Sequence, residues 1–275
     1  MNNFITIIFS KDRAMQCDLL LRSIKACTDE YMNIHILYTC TSDKHWQSYE
    51  KLKLEHPQAK FHIEKSFRQD LLWLIKGYRY VVFMVDDNIC INNFNINEIT
   101  NLLESNPKSL GFSLRLGVNC TECYSLNCKQ EMPSSVKVKD DILMFSWVNA
   151  EADWNYPLEL SSSVYKVEDI TNILIKQECN NPNDFEWKMQ AYNYWYSTRK
   201  PLLMCYEDSR CFCDVINKVQ TVNNNRCGTN IEYSIDSLLT KYESCDRIRY
   251  STFKGFIPNA CHEEVDIEIE KKKEK

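Results

Sequence analysis

Glycine is scarce in this chain, five in 275 residues, and the scarcity removes two common ways of cradling phosphate. No strand is followed by G-x-G-x-x-G, and no G-x-x-x-x-G-K-[ST] loop occurs, so dinucleotide-binding and P-loop readings fall away. No apolar run reaches the length of a membrane span and no leader precedes the first strand, which predicts a cytoplasmic protein or one peripheral to a membrane. A basic surplus is also missing: the net charge of -5 argues against nucleic acid as the main partner. No internal repeat is evident. With 44% hydrophobic residues, the chain can still bury a sizeable core.

What is present is a strand that ends in acid. Tyr80-Val-Val-Phe-Met-Val85 has no polar alternation, as a strand covered on both faces requires, and it runs directly into Asp86 and Asp87. Adjacent carboxylates repel unless a cation or a hydrogen-bonded ligand offsets the charge. A divalent metal carrying a diphosphate meets that need, since Mg²⁺ and Mn²⁺ are shared between carboxylates and substrate phosphates. The alternative is a surface turn in which Asp87 and Asn88 cap the next helix.

Upstream, apolar runs at Phe4–Phe9, Asn33–Tyr38 and, more weakly, Phe61–Glu64 predict three further strands. Between them lie helical patterns: Leu19, Leu20, Ile24 and Cys27 on one face, then Asp43 to about His56, then Phe67 to Gly77. This β-α-β-α-β-α-β order predicts a parallel sheet whose carboxyl ends share one edge. Ser10, Asp12 and Arg13, then Thr39 and Thr41, then Asp86 and Asp87, gather there, which is the composition of a nucleotide-diphosphate cleft.

A polar, Arg-bearing turn after the first strand, three further β/α steps and a terminal acidic pair together resemble the GT-A fold of nucleotide-sugar glycosyltransferases, of the family 2 kind. The resemblance implies an α/β, Rossmann-type fold, with a central mostly parallel sheet flanked by helices and a smaller acceptor-side subregion. It implies a donor-binding half over residues 1–117 and an acceptor and catalytic half over 118–264, followed by a charged tail over 265–275. The activity implied is transfer of a sugar from a nucleotide-diphosphate donor to an acceptor hydroxyl, with inversion, assisted by Mn²⁺ or Mg²⁺. The acceptor class, glycan, lipid-linked or protein, stays open.

That family carries its metal on a D-x-D motif, whereas this chain reads Val85-Asp-Asp-Asn88. Alignment by the strand end implies Asp87 as metal ligand and Asp86 as the ribose or outer contact, with Asn88 in the third place. A carboxylate opening a helix in the second half implies Glu186 as the base, with Asp184 in reserve; the competing reading makes Asp184 a helix cap. A late histidine implies His262 as a second metal ligand, which would favour manganese. Ser10, Asp12, Arg13, Thr39 and Arg68 are the remaining candidates for the nucleotide, guanidinium groups being suited to phosphate. Two other readings stand: a sugar nucleotidyltransferase, against which the glycine-free stretch Ser10–Cys17 argues, and a silent domain that keeps the cleft.

The 14 cysteines read mostly as small core residues such as Cys17, Cys27 and Cys90. Cys120-Thr-Glu-Cys123 with Cys128 has half a zinc spacing but no second C-x-x-C. Residues 120–141 read as a loop, and the end of the chain as an edge strand with a solvated tail. Trp154 and Tyr156 are candidates for the floor of an acceptor site, while Tyr192 to Tyr196 read as core.

Overall fold

The computed structural model describes residues 3–219 and 226–272. The expected alternation opens it: β1 (Phe4–Lys11), α1 (Ala14–Cys27), β2 (Ile34–Thr39), α2 (Asp43–Glu55), β3 (Lys60–Ile63), α3 (Phe67–Ile75) and β4 (Tyr80–Val85). The four strands pair in parallel in the order β3-β2-β1-β4. The reason β4 lacks polar alternation is now visible. Tyr80, Val82 and Met84 enter the core layer that contains α1 and α2, and Val81 and Phe83 enter the opposite layer with α3. Leu71, Leu74 and Ile75 of α3 are buried against that second layer as their spacing requires.

Beyond β4 come β5 (Asn88–Cys90), α4 (Ile96–Ser105), β6 (Ser109–Ser113) and a hairpin of β7 (Glu122–Cys123) and β8 (Cys128–Lys129). β9 (Ser135–Lys139), β10 (Ile142–Ser146), β11 (Ser163–Lys166), α5 (Val167–Lys176), α6 (Pro182–Gln190), α7 (Asn193–Arg199) and β12 (Leu202–Tyr206) follow. The last elements are β13 (Cys211–Asp214), α8 (Ile235–Glu243), β14 (Asp246–Ile248), β15 (His262–Glu263) and β16 (Ile269–Lys271). The main sheet has nine strands in the order β3-β2-β1-β4-β11-β6-β12-β10-β9. Only β11 and β10 oppose the others, so the sheet is mostly parallel. Gly111 is needed where β11 crosses β6, because a Cβ there would lie 2.7 Å from the Tyr165 ring. With helices on both faces and small peripheral sheets, the architecture is Rossmann-type and GT-A-like.

Three expectations need correction. Residues 120–141 are not one loop: they contain the β7–β8 hairpin and β9, an edge strand of the main sheet. The aromatic stretch on α7 is not core, since only Tyr196 is buried while Tyr194 is 87% exposed and Trp195 45%. Trp154 is fully buried, edge-on to Phe145, and so forms no cleft floor. The end of the chain does form a strand, β16, which pairs with β14 in a two-stranded ribbon, while residues 273–275 of the expected tail lie outside the described residues. No described helix is long and apolar enough to cross a membrane.

Candidate active site

A cleft of about 410 Å³ opens at the carboxyl edge of β1, β2 and β4, and its walls bring together residues far apart in sequence. Ser10 and Arg13 line it from the turn after β1, Thr39 from the end of β2, Asp86 and Asp87 from the end of β4, Glu186 from α6 and His262 from β15. Of the sequence candidates, Asp12, Arg68 and Asp184 are not among the lining residues.

Each of these three has a local task. Asp12 adopts φ 57°, a left-handed conformation that Asp tolerates, and its carboxylate accepts from Thr41 N at 2.8 Å and Thr41 Oγ1 at 2.9 Å. It thereby ties the turn after β1 to the turn after β2. Arg68 donates to the carbonyls of Leu174 and Ile175 at the end of α5, where a helix has unsatisfied acceptors. Asp184 is not the cap of α6: Asn181 is, accepting from Asp184 N at 2.9 Å, with Pro182 opening the helix. The Asp184 carboxylate in turn accepts from Asn180 N at 3.0 Å and pairs with Lys188.

The acidic pair divides its labour. Asp86 is buried and accepts from Ser10 Oγ at 2.9 Å, Lys11 N at 3.0 Å and Arg13 Nη1 at 3.0 Å. Burial pushes its carboxyl up to about 6, aided by the charge of Asp87 and opposed by Arg13. Behind it Ser10 Oγ also bonds the buried phenol of Tyr49. Asp87 accepts the same Arg13 Nη1 on Oδ2 at 2.9 Å, while its Oδ1 is buried and accepts no hydrogen bond among the described residues. Asn88 turns away: its Oδ1 accepts from Val85 N at 2.8 Å and its amide points to Cys213 Sγ at 2.9 Å. It braces the turn and does not enter the cleft as a third ligand.

Arg13 is the cation of the turn. Burial disfavours its charge, but Asp86 and Asp87 outweigh burial and raise its pKa above the ordinary value. Its Nη2 donates to the Asn217 carbonyl at 2.6 Å, joining the first turn of the chain to the wall beyond β13.

His262 reaches the site through a small sheet in which Asn88, Cys213 and His262 lie side by side on β5, β13 and β15. Burial lowers its pKa, as does Arg115, against the opposing charges of Asp153 and Asp87, which favours the neutral ring. Neutral imidazole is the metal-binding form. An orphaned carboxylate oxygen on Asp87 and an imidazole line the same cleft, and both are donor types that a divalent cation accepts.

Glu186 Oε1 accepts from Tyr156 O–H at 3.1 Å and Oε2 from Leu160 N at 2.9 Å. Burial raises its pKa against these bonds and the charge of Arg115. Arg115 itself is fully buried between Asp153 and Glu159, each at 3.5 Å. Glu159 is pushed up to about 7 by burial, although Arg115 and the bonds from Ser163 Oγ and Ser161 N oppose the shift.

Sequence reasoning missed Arg115, Glu159 and Asp214. The signal existed in each case: an ionisable residue inside an apolar run, Leu-Arg-Leu, Leu-Glu-Leu and Cys-Phe-Cys-Asp, points to a buried partner. Asp214 N donates to the Asp87 carbonyl at 2.9 Å, so a second strand that ends in acid buttresses the turn.

Among the described residues, the one group of three potential metal ligands whose ligand atoms lie within 4.8 Å of one another is outside the cleft: Asp18, Glu55 and His56. Its oxygens already meet Arg22 at 2.8 Å and His56 at 2.8 Å, together with Arg247 and Lys272. The cluster is thus an ion-pair network joining α1 and α2 to the β14–β16 ribbon. Cys120, Cys123 and Cys128 form no metal-ligating group among the described residues, and all 14 cysteines are free.

No protein-family model matches the chain. It is 30% identical over 260 residues to the bifunctional glycosyltransferase pgtA of Dictyostelium discoideum, an alignment covering 82% of this chain. The chain spans only 33% of the length of that relative. Among solved structures it is similar to TarS of S. aureus, with TM-score 0.46 and 14% identity over 75% of this chain and 35% of that one. It is also similar to the mannosyltransferase PcManGT of Pyrobaculum calidifontis, with TM-score 0.44 and 10% identity over 76% of this chain and 56% of that one.

Proposed function

We propose that this chain is a glycosyltransferase domain that moves a sugar from a nucleotide-diphosphate donor to an acceptor hydroxyl with inversion. The observation that carries the reading is that Asp87, with a free oxygen, and Glu186, a raised-pKa carboxylate on a helix, line one cleft at the carboxyl edge of a GT-A-like sheet. The similarity to a glycosyltransferase over 82% of the chain supports it.

In this reading residues 1–117 form the donor half and 118–264 the acceptor half, with Thr39, Ser10 and Lys11 on the donor side of the cleft. A divalent cation held by Asp87 and His262 would act as a Lewis acid on the leaving diphosphate. Glu186 takes the proton from the attacking hydroxyl; its raised pKa suits a base at neutral pH, and such help contributes roughly 10²–10⁴-fold. Tyr156 and Leu160 N hold that carboxylate in one orientation. Arg13, bound to both aspartates, positions them.

The test is a panel of sugar nucleotides with and without Mn²⁺, read as donor binding and turnover, with Asp87→Ala and Glu186→Gln as controls. Metal-dependent turnover of one donor, lost in Asp87→Ala, is the expected result. Failure to bind any donor would overturn the reading and leave a silent domain.

A further inference from the structure

We propose that Cys90 and Cys211 are an oxidisable pair, a disulfide site that fastens β5 to β13 directly behind the acidic turn. The two thiols face each other inside the core, Sγ to Sγ at 3.3 Å, and neither is exposed. They also lie opposite one another in the antiparallel ladder, where Cys211 pairs with Cys90, Phe212 with Ile89 and Cys213 with Asn88.

The ladder decides whether such a pair can close. Ile91 N donates to Arg210 O at 2.8 Å and Asp214 N to Asp87 O at 2.9 Å, so Ile91 with Arg210 and Asp87 with Asp214 are hydrogen-bonded pairs. Alternation then makes Cys90 and Cys211 a non-hydrogen-bonded pair, whose Cα atoms lie about 4.5 Å apart with the side chains drawn together. The amides agree: Cys90 N donates to Ser23 Oγ at 3.0 Å and Cys211 N to Leu114 O at 3.0 Å, neither of them across this ladder. A disulfide accepts Cα separations of about 4.4–6.8 Å, and this pair falls inside that range. Cys27, in the same core layer, is engaged elsewhere, its Sγ lying 3.2 Å from the Tyr250 hydroxyl.

The oxidant is a small disulfide such as oxidised glutathione. One cysteine thiolate attacks it and releases one glutathione; the second thiolate attacks the protein-bound sulfur and releases the other. Two S–H bonds are lost, one S–S bond forms, and the glutathione disulfide is reduced to two thiols. Burial raises the pKa of Cys211, so exchange waits on transient lifting of β5, the outer strand of its small sheet. The cross-link joins residues 121 positions apart, so it restrains the unfolded chain and stabilises the fold. It also holds in place the strand that begins at Asn88, next to Asp87.

The test incubates the folded full chain, carrying Cys128→Ser and Cys245→Ser to remove the exposed thiols, with oxidised glutathione in buffer and in urea below the unfolding midpoint. Free thiols are then alkylated, and cross-links are mapped by mass spectrometry of a non-reduced digest. A cross-link between Cys90 and Cys211 is expected, together with a higher urea midpoint that dithiothreitol reverses and that Cys211→Ala lacks. The map needs no substitution at the pair, so it stands even if Cys211→Ala fails to fold. Cys90 and Cys211 both alkylated under both conditions, either one joined to a different cysteine such as Cys27, or a cross-link that leaves the urea midpoint unchanged would each overturn the proposal.

Discussion

Tyr156 donates its phenolic proton to Glu186 Oε1 at 3.1 Å, and that bond links the irregular segment before β11 to the first turns of α6. The bond favours the charged carboxylate, against the burial that raises its pKa. Removing it in Tyr156→Phe should raise the Glu186 pKa further. Because the base acts deprotonated, the acid limb of the kcat–pH profile should move to higher pH, with donor affinity unchanged. Glu186→Gln should lower kcat by roughly 10²–10⁴-fold. A limb that stays in place in Tyr156→Phe would remove Glu186 from the base role.

Glu159 makes folding depend on pH in a stated direction. Its pKa is raised in the fold, so its contribution is full below the ordinary carboxylate range and is lost as pH rises through about 7. The amplitude is on the order of 3 kcal/mol. Glu159→Gln should flatten that part of the stability curve between about pH 4.5 and 7. Urea midpoints of both proteins across that range provide the check, and parallel curves would contradict it.

Trp154 and Trp187 should respond oppositely to truncation. Trp154 is fully buried, so Trp154→Ala should cost about 3–5 kcal/mol through lost burial and a residual cavity. Trp187 is 71% exposed on α6, and Trp187→Ala should stay within about 0.5 kcal/mol. Chemical denaturation of the two variants decides; similar losses would mean that the α6 surface is covered.

The network of Asp18, Glu55 and His56 should not bind metal. Arg22, Arg247 and Lys272 already neutralise its carboxylates, and a divalent cation would have to displace them. In an Asp87→Ala background, Mn²⁺ or Zn²⁺ should therefore leave Tm unchanged, as should EDTA. A rise in Tm with metal would assign a second site to this network. Arg247→Met, by contrast, should cost about 1–3 kcal/mol by removing one of the two cations on Glu55 and loosening the ribbon, while Asp18 keeps Arg22 and His56; the same melts measure it.

By itself the sequence determined the parallel half of this protein and the position of its acidic turn. β1 to β4 alternate with amphipathic helices over short range, and local periodicity reports them directly: the apolar run of β4 is legible because both of its faces meet helices. The scarcity of glycine was equally plain and excluded phosphate loops. Which residues share the cleft was decided by the tertiary structure. Arg13 meets Asn217 across 204 positions, and His262 joins Asn88 only because β13 lies between their strands. Arg68, Asp12 and Asp184 looked equivalent to the true lining residues as letters, but their side chains turn to local carbonyls and amides. The mixed half of the sheet was also hidden, because β9 is exposed and short-range signals do not tell an edge strand from a loop. A residue's chemistry is local, but its partner, and with it the role of each carboxylate in the pair, is set by contacts that chain order does not encode.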